Sequence, residues 1–279
     1  MTDDFRFEVI EVPGSQGTVI NDLNAAGDHT GVFLDPDGDV QSYICRNGQC
    51  AELSIPEATT LYAHGICTET TVVGDFLTED DQYRGFKALD DGAAELFDHP
   101  QAQNTFVTDC EDGGILGIFD TTDGHRFGFL RSAEGRIEDL AFDDAFDAST
   151  STLLNGMNPR GDIAGCLVRK NSERTISART TVAIYRDNDD WQRIEVPEDV
   201  AHSTATDIGP QGVVIGQWFN NPSTGPNGFI HTDQTFRSFS VPDAMATGPL
   251  TINSNGAIAG FFDDKDGTRR GFVARPKTD

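Results

Sequence analysis

The chain reads as an all-β protein, a six-bladed β-propeller, on three observations. A glycine-apolar marker returns six times, a second glycine-aromatic step follows within most units, and a strand-like N-terminus matches a strand missing at the C-terminus. The marker stands at Gly31-Val32-Phe33, Gly74-Asp75-Phe76, Gly117-Ile118-Phe119, Gly165-Cys166-Leu167, Gly216-Gln217-Trp218 and Gly260-Phe261-Phe262, at spacings of 43, 43, 48, 51 and 44 residues. That period suits propeller blades of four short strands, with a solenoid as the main competitor.

The second step stands at Gly85-Phe86, Gly128-Phe129, Gly228-Phe229 and Gly271-Phe272, with Ser42-Tyr43 and Ala183-Ile184 in the remaining units. Glycine permits close backbone approach and the adjacent aromatic fills the space between neighbouring sheets, so the recurrence indicates packing rather than catalysis. Outer strands are read at Ala51–Pro56, Trp191–Pro197 and Phe236–Pro242, each alternating and ending on a proline that an edge strand tolerates. Inner strands fall near 19–24, 62–67, 105–110, 153–158, 204–208 and 249–253.

The last unit stops after Arg269–Ala274 with its fourth strand missing, while the chain begins with Phe5–Pro13, which has the alternation and final proline of an outer strand. The N-terminal strand therefore closes the last blade and removes an exposed sheet edge. A single propeller domain over residues 1–279 follows, with Arg169–Arg179 as an excursion of blade four rather than a boundary.

Composition narrows the function. At 279 residues the chain is long enough for a substantial core, while 29 glycines, 19 phenylalanines and an apolar fraction of 37% favour many turns and short aromatic strands. Twenty basic against 46 acidic side chains give a formal charge of −26, which repels phosphate backbones and anionic membrane surfaces and argues against nucleic acid as a partner. No segment has the length and hydropathy of a transmembrane helix or a signal sequence, so a soluble protein is expected, cytoplasmic or secreted being open.

The stretch Thr251-Ile252-Asn253-Ser254-Asn255-Gly256-Ala257-Ile258-Ala259-Gly260-Phe261, followed by Arg270-Gly271-Phe272, resembles the units of bacterial HAF-type repeat proteins. The resemblance extends in degraded form over nearly the whole chain. It implies a repeat architecture and brings no fixed catalytic set.

Cysteines stand at 45, 50, 67, 110 and 166. Cys45 and Cys50 flank an Asn-Gly hairpin turn, where a disulfide is feasible and two reduced thiols are the alternative. Asn24, Cys67, Cys110, Asn158, Gly209 and Asn253 are read as the ends of the inner strands. The asparagines suit turns there, whereas Cys67 and Cys110, read as equivalent positions on adjacent blades, are open to packing, a disulfide or metal binding.

Blade connections converging near the channel form the expected concave site, which takes a small organic molecule. His64 and His202 are the candidate proton-transfer groups, being on or near inner strands, with Asp109 or Asp207 to orient them or act as acid or base. Tyr62 and the arginines Arg169, Arg174 and Arg179 are candidate substrate contacts through stacking and charge pairing, while Trp218 is read as core. The leading expectation is a small-molecule-binding propeller acting as a cofactor-independent lyase, isomerase or cyclase. The alternative is a non-catalytic carbohydrate- or protein-binding scaffold.

No cofactor is expected, because the chain carries no P-loop, dinucleotide fingerprint, nucleophile elbow or HExxH motif. Calcium as a structural ion stays open at Asp35–Asp39, Asp120–Gly124 and Asp263–Gly267, which read more simply as aspartate-glycine turns. Oligomeric state is not legible.

Overall fold

The computed structural model describes all residues except 1–3, 69–70, 90–92, 123, 141–149, 171–178, 188–189, 199, 221–224, 233–234 and 278–279. Its strands form six four-stranded antiparallel sheets. Blade 1 comprises β2 (Gly17–Leu23), β3 (His29–Leu34), β4 (Val40–Arg46) and β5 (Gln49–Leu53). Blade 2 comprises β6 (Thr60–Thr68), β7 (Thr71–Leu77), β8 (Tyr83–Leu89) and β9 (Ala94–Phe97). Blade 3 comprises β10 (Asn104–Glu111), β11 (Gly114–Asp120), β12 (Arg126–Arg131) and β13 (Ile137–Leu140). Blade 4 comprises β14 (Thr150–Met157), β15 (Ile163–Lys170), β16 (Arg179–Asp187) and β17 (Asp190–Arg193). Blade 5 comprises β18 (His202–Ile208), β19 (Val214–Phe219), β20 (Asn227–Thr232) and β21 (Thr235–Phe239).

Blade 6 comprises β22 (Ala246–Ile252), β23 (Ile258–Asp263) and β24 (Arg269–Pro276), and its fourth strand is β1 (Phe5–Ile10). β1 runs antiparallel to β24 from Phe5 opposite Pro276 to Ile10 opposite Gly271. The inner strands contact one another in succession, and β22 returns to β2, so the ring is closed. A six-bladed propeller sealed by its N-terminal strand is therefore the architecture.

The glycine markers have a steric origin. A Cβ on Gly74 would fall on the carbonyl oxygen of Tyr62 and within 3 Å of the Phe86 ring, and the glycines of the other five markers face an inner-strand carbonyl in the same way. The aromatics of the second step are the wedges between blades: Phe86, Phe129, Phe229 and Phe272 are fully buried, and Tyr43 and Ile184 take the same role in blades 1 and 4. One interface core joins Ile44 and Ile55 of blade 1 to Leu61, Phe76 and Phe86 of blade 2. The blade 5–6 interface joins Phe239 of blade 5 to Phe262 and Phe272 of blade 6, with Phe5 and Phe7 of β1 packed against them. Burying one such ring contributes about 1.5–3 kcal/mol. No helix among the described residues is long and apolar enough to cross a membrane.

Both hairpin cysteines and the inner pair are oxidised: Cys45 bonds Cys50, and Cys67 bonds Cys110. The inner pair corrects the sequence register. Cys110 pairs with Ile115 as Ile66 pairs with Val72, which makes Cys110 the counterpart of Ile66, while Cys67 is left out of the ladder by a second bulge at Ile66/Thr68. The one-residue offset, rather than equivalence, brings the two sulfurs together across blades 2 and 3. Cys166 is a buried free thiol.

Candidate functional site

Every inner strand carries a β-bulge, at Ile20/Asp22, Ala63/Gly65, Val107/Asp109, Leu154/Gly156, Ala205/Asp207 and Pro249/Thr251. A bulge leaves one residue out of the ladder and redirects it. The skipped residues are Asn21, His64, Thr108, Asn155, Thr206 and Leu250, and all six line a cavity of about 250 Å³ in the upper channel, at the end where the inner strands begin. The repeat thus delivers one side chain per blade to the axis. Most are neutral amides or hydroxyls.

Their own bonds tie the blades together. Asn21 Nδ2 donates to Ala63 O at 2.8 Å, Asn155 Nδ2 to Ala205 O at 2.8 Å, and Thr206 Oγ1 to Pro249 O at 2.9 Å. Thr108 Oγ1 is enclosed and has no hydrogen-bond partner. That hydroxyl is a cost to the fold.

The next residue along each strand forms a waist: Asp22, Gly65, Asp109, Gly156, Asp207 and Thr251. Each aspartate clamps two blades by accepting from two backbone amides. Asp22 takes Leu23 and Ile66, Asp109 takes Cys110 and Met157, and Asp207 takes Ile208 and Ile252, every bond 2.7 Å long. Thr251 Oγ1 donates to Asp22 at 2.7 Å and closes the circle. Desolvation raises all three carboxyls above the ordinary aspartate range, and for Asp109 the charges of Asp207 and Asp22 add to it. Gly156 is required here, since a Cβ would meet the Asp207 carboxylate and lie 2.9 Å from Thr206 O.

Below the waist a second cavity, of about 340 Å³, is lined by Asn24, Cys67, Glu111, Asn158 and Asn253 among others. The asparagines are spent on turns and neighbouring blades: Asn158 Nδ2 reaches Gly209 O at 2.9 Å, and Asn253 Nδ2 reaches Asn24 O at 3.0 Å. Burial pushes the Glu111 carboxyl up to about 7, with help from the charges of Asp112 and Asp22.

At the upper mouth, aromatic rings run from blade 2 to blade 3. Tyr62 stacks at 21° on His64 with centroids 6.4 Å apart, Tyr83 follows at 6.5 Å, and Phe106 lies 4.8 Å beyond Tyr83. The Arg126 guanidinium caps Phe106 at 4.9 Å and is itself paired with Asp120. At the other end His64 Nε2 lies 3.2 Å from Asp75 Oδ1, a buried carboxylate that also accepts from Val107 N. Tyr62, Tyr83 and Phe106 are half-buried. Burial, then the neighbouring Tyr83 and Asp75, raises the Tyr62 phenol.

The sequence candidates separate. His64 and Tyr62 belong to this mouth, and Asp109 and Asp207 belong to the waist beneath it. The carboxylate paired with His64 is Asp75 rather than Asp109 or Asp207, whose oxygens are taken by backbone amides. His202 is not among the residues lining the upper cavity and stacks on Phe219 at 4.9 Å. Arg169 and Arg179 occupy paired strands, opposite Thr180 and Lys170, while Arg174 and the side chains of Arg169 and Arg179 lie outside the described residues. Trp218 packs against the blade 4–5 core.

The aspartate-glycine loops form turns, Asp35 Oδ1 accepting from Asp37 N and Asp39 N at 2.9 Å. Among the described residues, no group of three His, Cys, Asp or Glu side chains is placed to hold a metal ion. Asp75, Tyr83, Phe106 and Arg126 were not legible as a group, because they come from separate strands and Asp75 sits inside a packing marker.

Comparison with known proteins finds no matching family and no matching curated protein. Solved structures match in fold. The β-propeller domain of the Trilobed protease from Pyrococcus furiosus superposes with a TM-score of 0.55 at 10% identity, covering 93% of this chain and 97% of that one. TolB from Acinetobacter baumannii gives 0.59 at 11%, covering 90% and 65%. A lectin from Aleuria aurantia, in complex with a fucosylated N-acetylglucosamine, gives 0.50 at 11%, covering 97% and 92%. These likenesses support the propeller and leave the HAF-type resemblance without a named relative.

Proposed function

We propose that the protein is a non-catalytic binding scaffold for neutral carbohydrate, held at the upper mouth of the channel. The observation that carries this reading is the Tyr62–Tyr83–Phe106 ladder set beside the channel. Aromatic surface receives the C–H face of a sugar, and hydroxyls and amides bond its rim. Asn21, Asn155, Thr204 and Thr206 supply such groups below the ladder. The charge of −26 selects against acidic sugars. Two disulfides suit an oxidising compartment, where glycans are displayed. The likeness to a lectin, at 11% identity, is one of fold, so the reading rests on the ladder.

An array of immobilised neutral and sialylated glycans tests it. Neutral glycans bind, sialylated ones do not, and Tyr62→Ala weakens binding by about tenfold or more, the scale of one lost stacking contact. Silence across the neutral glycans, or an unaltered Tyr62→Ala profile, rejects the reading.

The His64–Asp75 contact favours a second reading, the cofactor-independent lyase, isomerase or cyclase. With Nε2–H donating to Asp75, His64 would take a proton at Nδ1 from a bound organic molecule. Exchange of carbon-bound hydrogen in D₂O, followed by NMR over a small-molecule panel, tests it. Exchange that persists in His64→Ala removes His64 from the chemistry.

A further inference from the structure

Cys67 and Cys110 both line the lower channel cavity of about 340 Å³, whose rim carries the exposed residues Ala25, Ala26, Pro159 and Ser254. The two sulfurs are unequally placed. Cys110 is 3% exposed and lies against Gly65, where an added Cβ would come within 3.1 Å of its Sγ. Cys67 is half-buried, because the second bulge of β6 leaves it out of the ladder. Among the described residues, the charged side chains lining the cavity are Asp22, Asp109, Asp207 and Glu111, all of them acidic. A small thiol therefore reaches this bond without unfolding the blades, and the local field sorts thiols by their charge.

We infer that Cys67–Cys110 is a thiol-exchange site, entered through the lower cavity by a small thiol that carries an ammonium group and attacked at Cys67. The incoming thiolate bonds to Cys67 Sγ as the Sγ–Sγ bond breaks, and Cys110 leaves with the electron pair and takes a proton from solvent. A second thiolate attacks the sulfur of the first thiol in the mixed disulfide, which releases the small-molecule disulfide and leaves Cys67 as a thiol once it is protonated. Two thiols are oxidised and one protein disulfide is reduced. The strands set free are β6 and β10, and each keeps its place in its own sheet. Asp22 still accepts from Ile66 N at 2.7 Å and Asp75 from Val107 N at 3.2 Å, so blade 2 stays tied to blades 1 and 3. Reduction loosens the junction of blades 2 and 3 and leaves the ring closed.

The experiment follows reduction of the native protein by cysteamine, 2-mercaptoethanol and thioglycolate at a pH one unit above the value of about 7 to which burial lifts Glu111. Maleimide trapping with peptide mass spectrometry reads the two disulfides separately. Each Cys67–Cys110 rate is divided by that of Cys45–Cys50, whose Cys50 is exposed on a hairpin of the same chain, so the thiols' own reactivities and the net charge cancel. The ratio is expected to be about tenfold or more higher for cysteamine than for thioglycolate, with 2-mercaptoethanol between them, as a cleft of one charge sign imposes. Glu111→Gln narrows that spread, and the first adduct maps to Cys67. After reduction, amide hydrogen exchange quickens in β6 and β10 while the β1–β24 ladder stays protected. Equal ratios for the three thiols, a spread unchanged in Glu111→Gln, or a first adduct on Cys110 overturns the inference. Reduction that occurs only together with exchange across all six blades overturns it as well, since the bond would then be a core staple opened by unfolding.

Discussion

Cys67 and Cys110 are joined although they occupy successive, not matching, places in the repeat, so the bond crosses from blade 2 to blade 3 beside the channel. The strands it links, β6 and β10, also carry Tyr62 and Phe106, which makes it a staple beneath the aromatic mouth. Its partners are 43 residues apart, against 5 for Cys45 and Cys50. Loop-closure entropy then predicts that Cys67→Ser costs about 4 kcal/mol and Cys45→Ser about 2 kcal/mol. Urea denaturation of the two variants compares them, and equal losses would show that loop length does not govern their contribution.

Deletion of residues 1–13 removes β1 and bares the β24 edge together with the Phe239 and Phe272 rings that Phe5 and Phe7 cover. An unpaired edge beside apolar surface drives association. The truncated chain is expected to elute as oligomers in size-exclusion chromatography and to melt earlier. A monomer of unchanged melting temperature would contradict closure by the N-terminal strand.

Gly156→Ala pushes a methyl into the Asp207 carboxylate and the Thr206 carbonyl, whereas at Gly17 a Cβ has only ordinary contacts of 3.4 Å or more. The first substitution is expected to cost about 1–3 kcal/mol or more as an overpacked site, and the second much less. Parallel thermal melts decide it.

The raised carboxyls set a pH dependence. Asp22, Asp109, Asp207 and Glu111 each bind protons more tightly in the folded chain than in the unfolded one. Their stabilising contribution is complete below the unfolded pKa values and is lost as pH rises through the folded ones. For Glu111 the window runs from 4.5 to about 7. The melting temperature should therefore fall from about pH 5 toward pH 8, and Glu111→Gln should reduce that slope. A melting temperature that rises across this interval would refute the assignment.

The architecture was legible because its signals are steric and local. Gly74 and its counterparts leave room for an inner-strand carbonyl, and Phe86 and its counterparts wedge the blades, so each unit repeats the same spelling. The β1 strand was legible because Phe5, Phe7 and Pro13 match the other outer strands. The site was only half legible. His64 and Tyr62 were found on their inner strand, but the bulge that aims His64 at the axis leaves no mark in residue type. The Cys67–Cys110 register was misread for the same reason, since a second bulge at Ile66/Thr68 inserts Cys67 into β6 and has no counterpart in β10. Tyr83 and Arg126 begin third strands and look like ordinary solvent-side residues until the blades are set side by side.

The most direct measurement is a crystal structure of the protein soaked with the neutral glycan that binds best. Sugar density resting on Tyr62 and Tyr83 is the expected result. Sugar seated elsewhere on the ring, with the mouth vacant, would contradict the account.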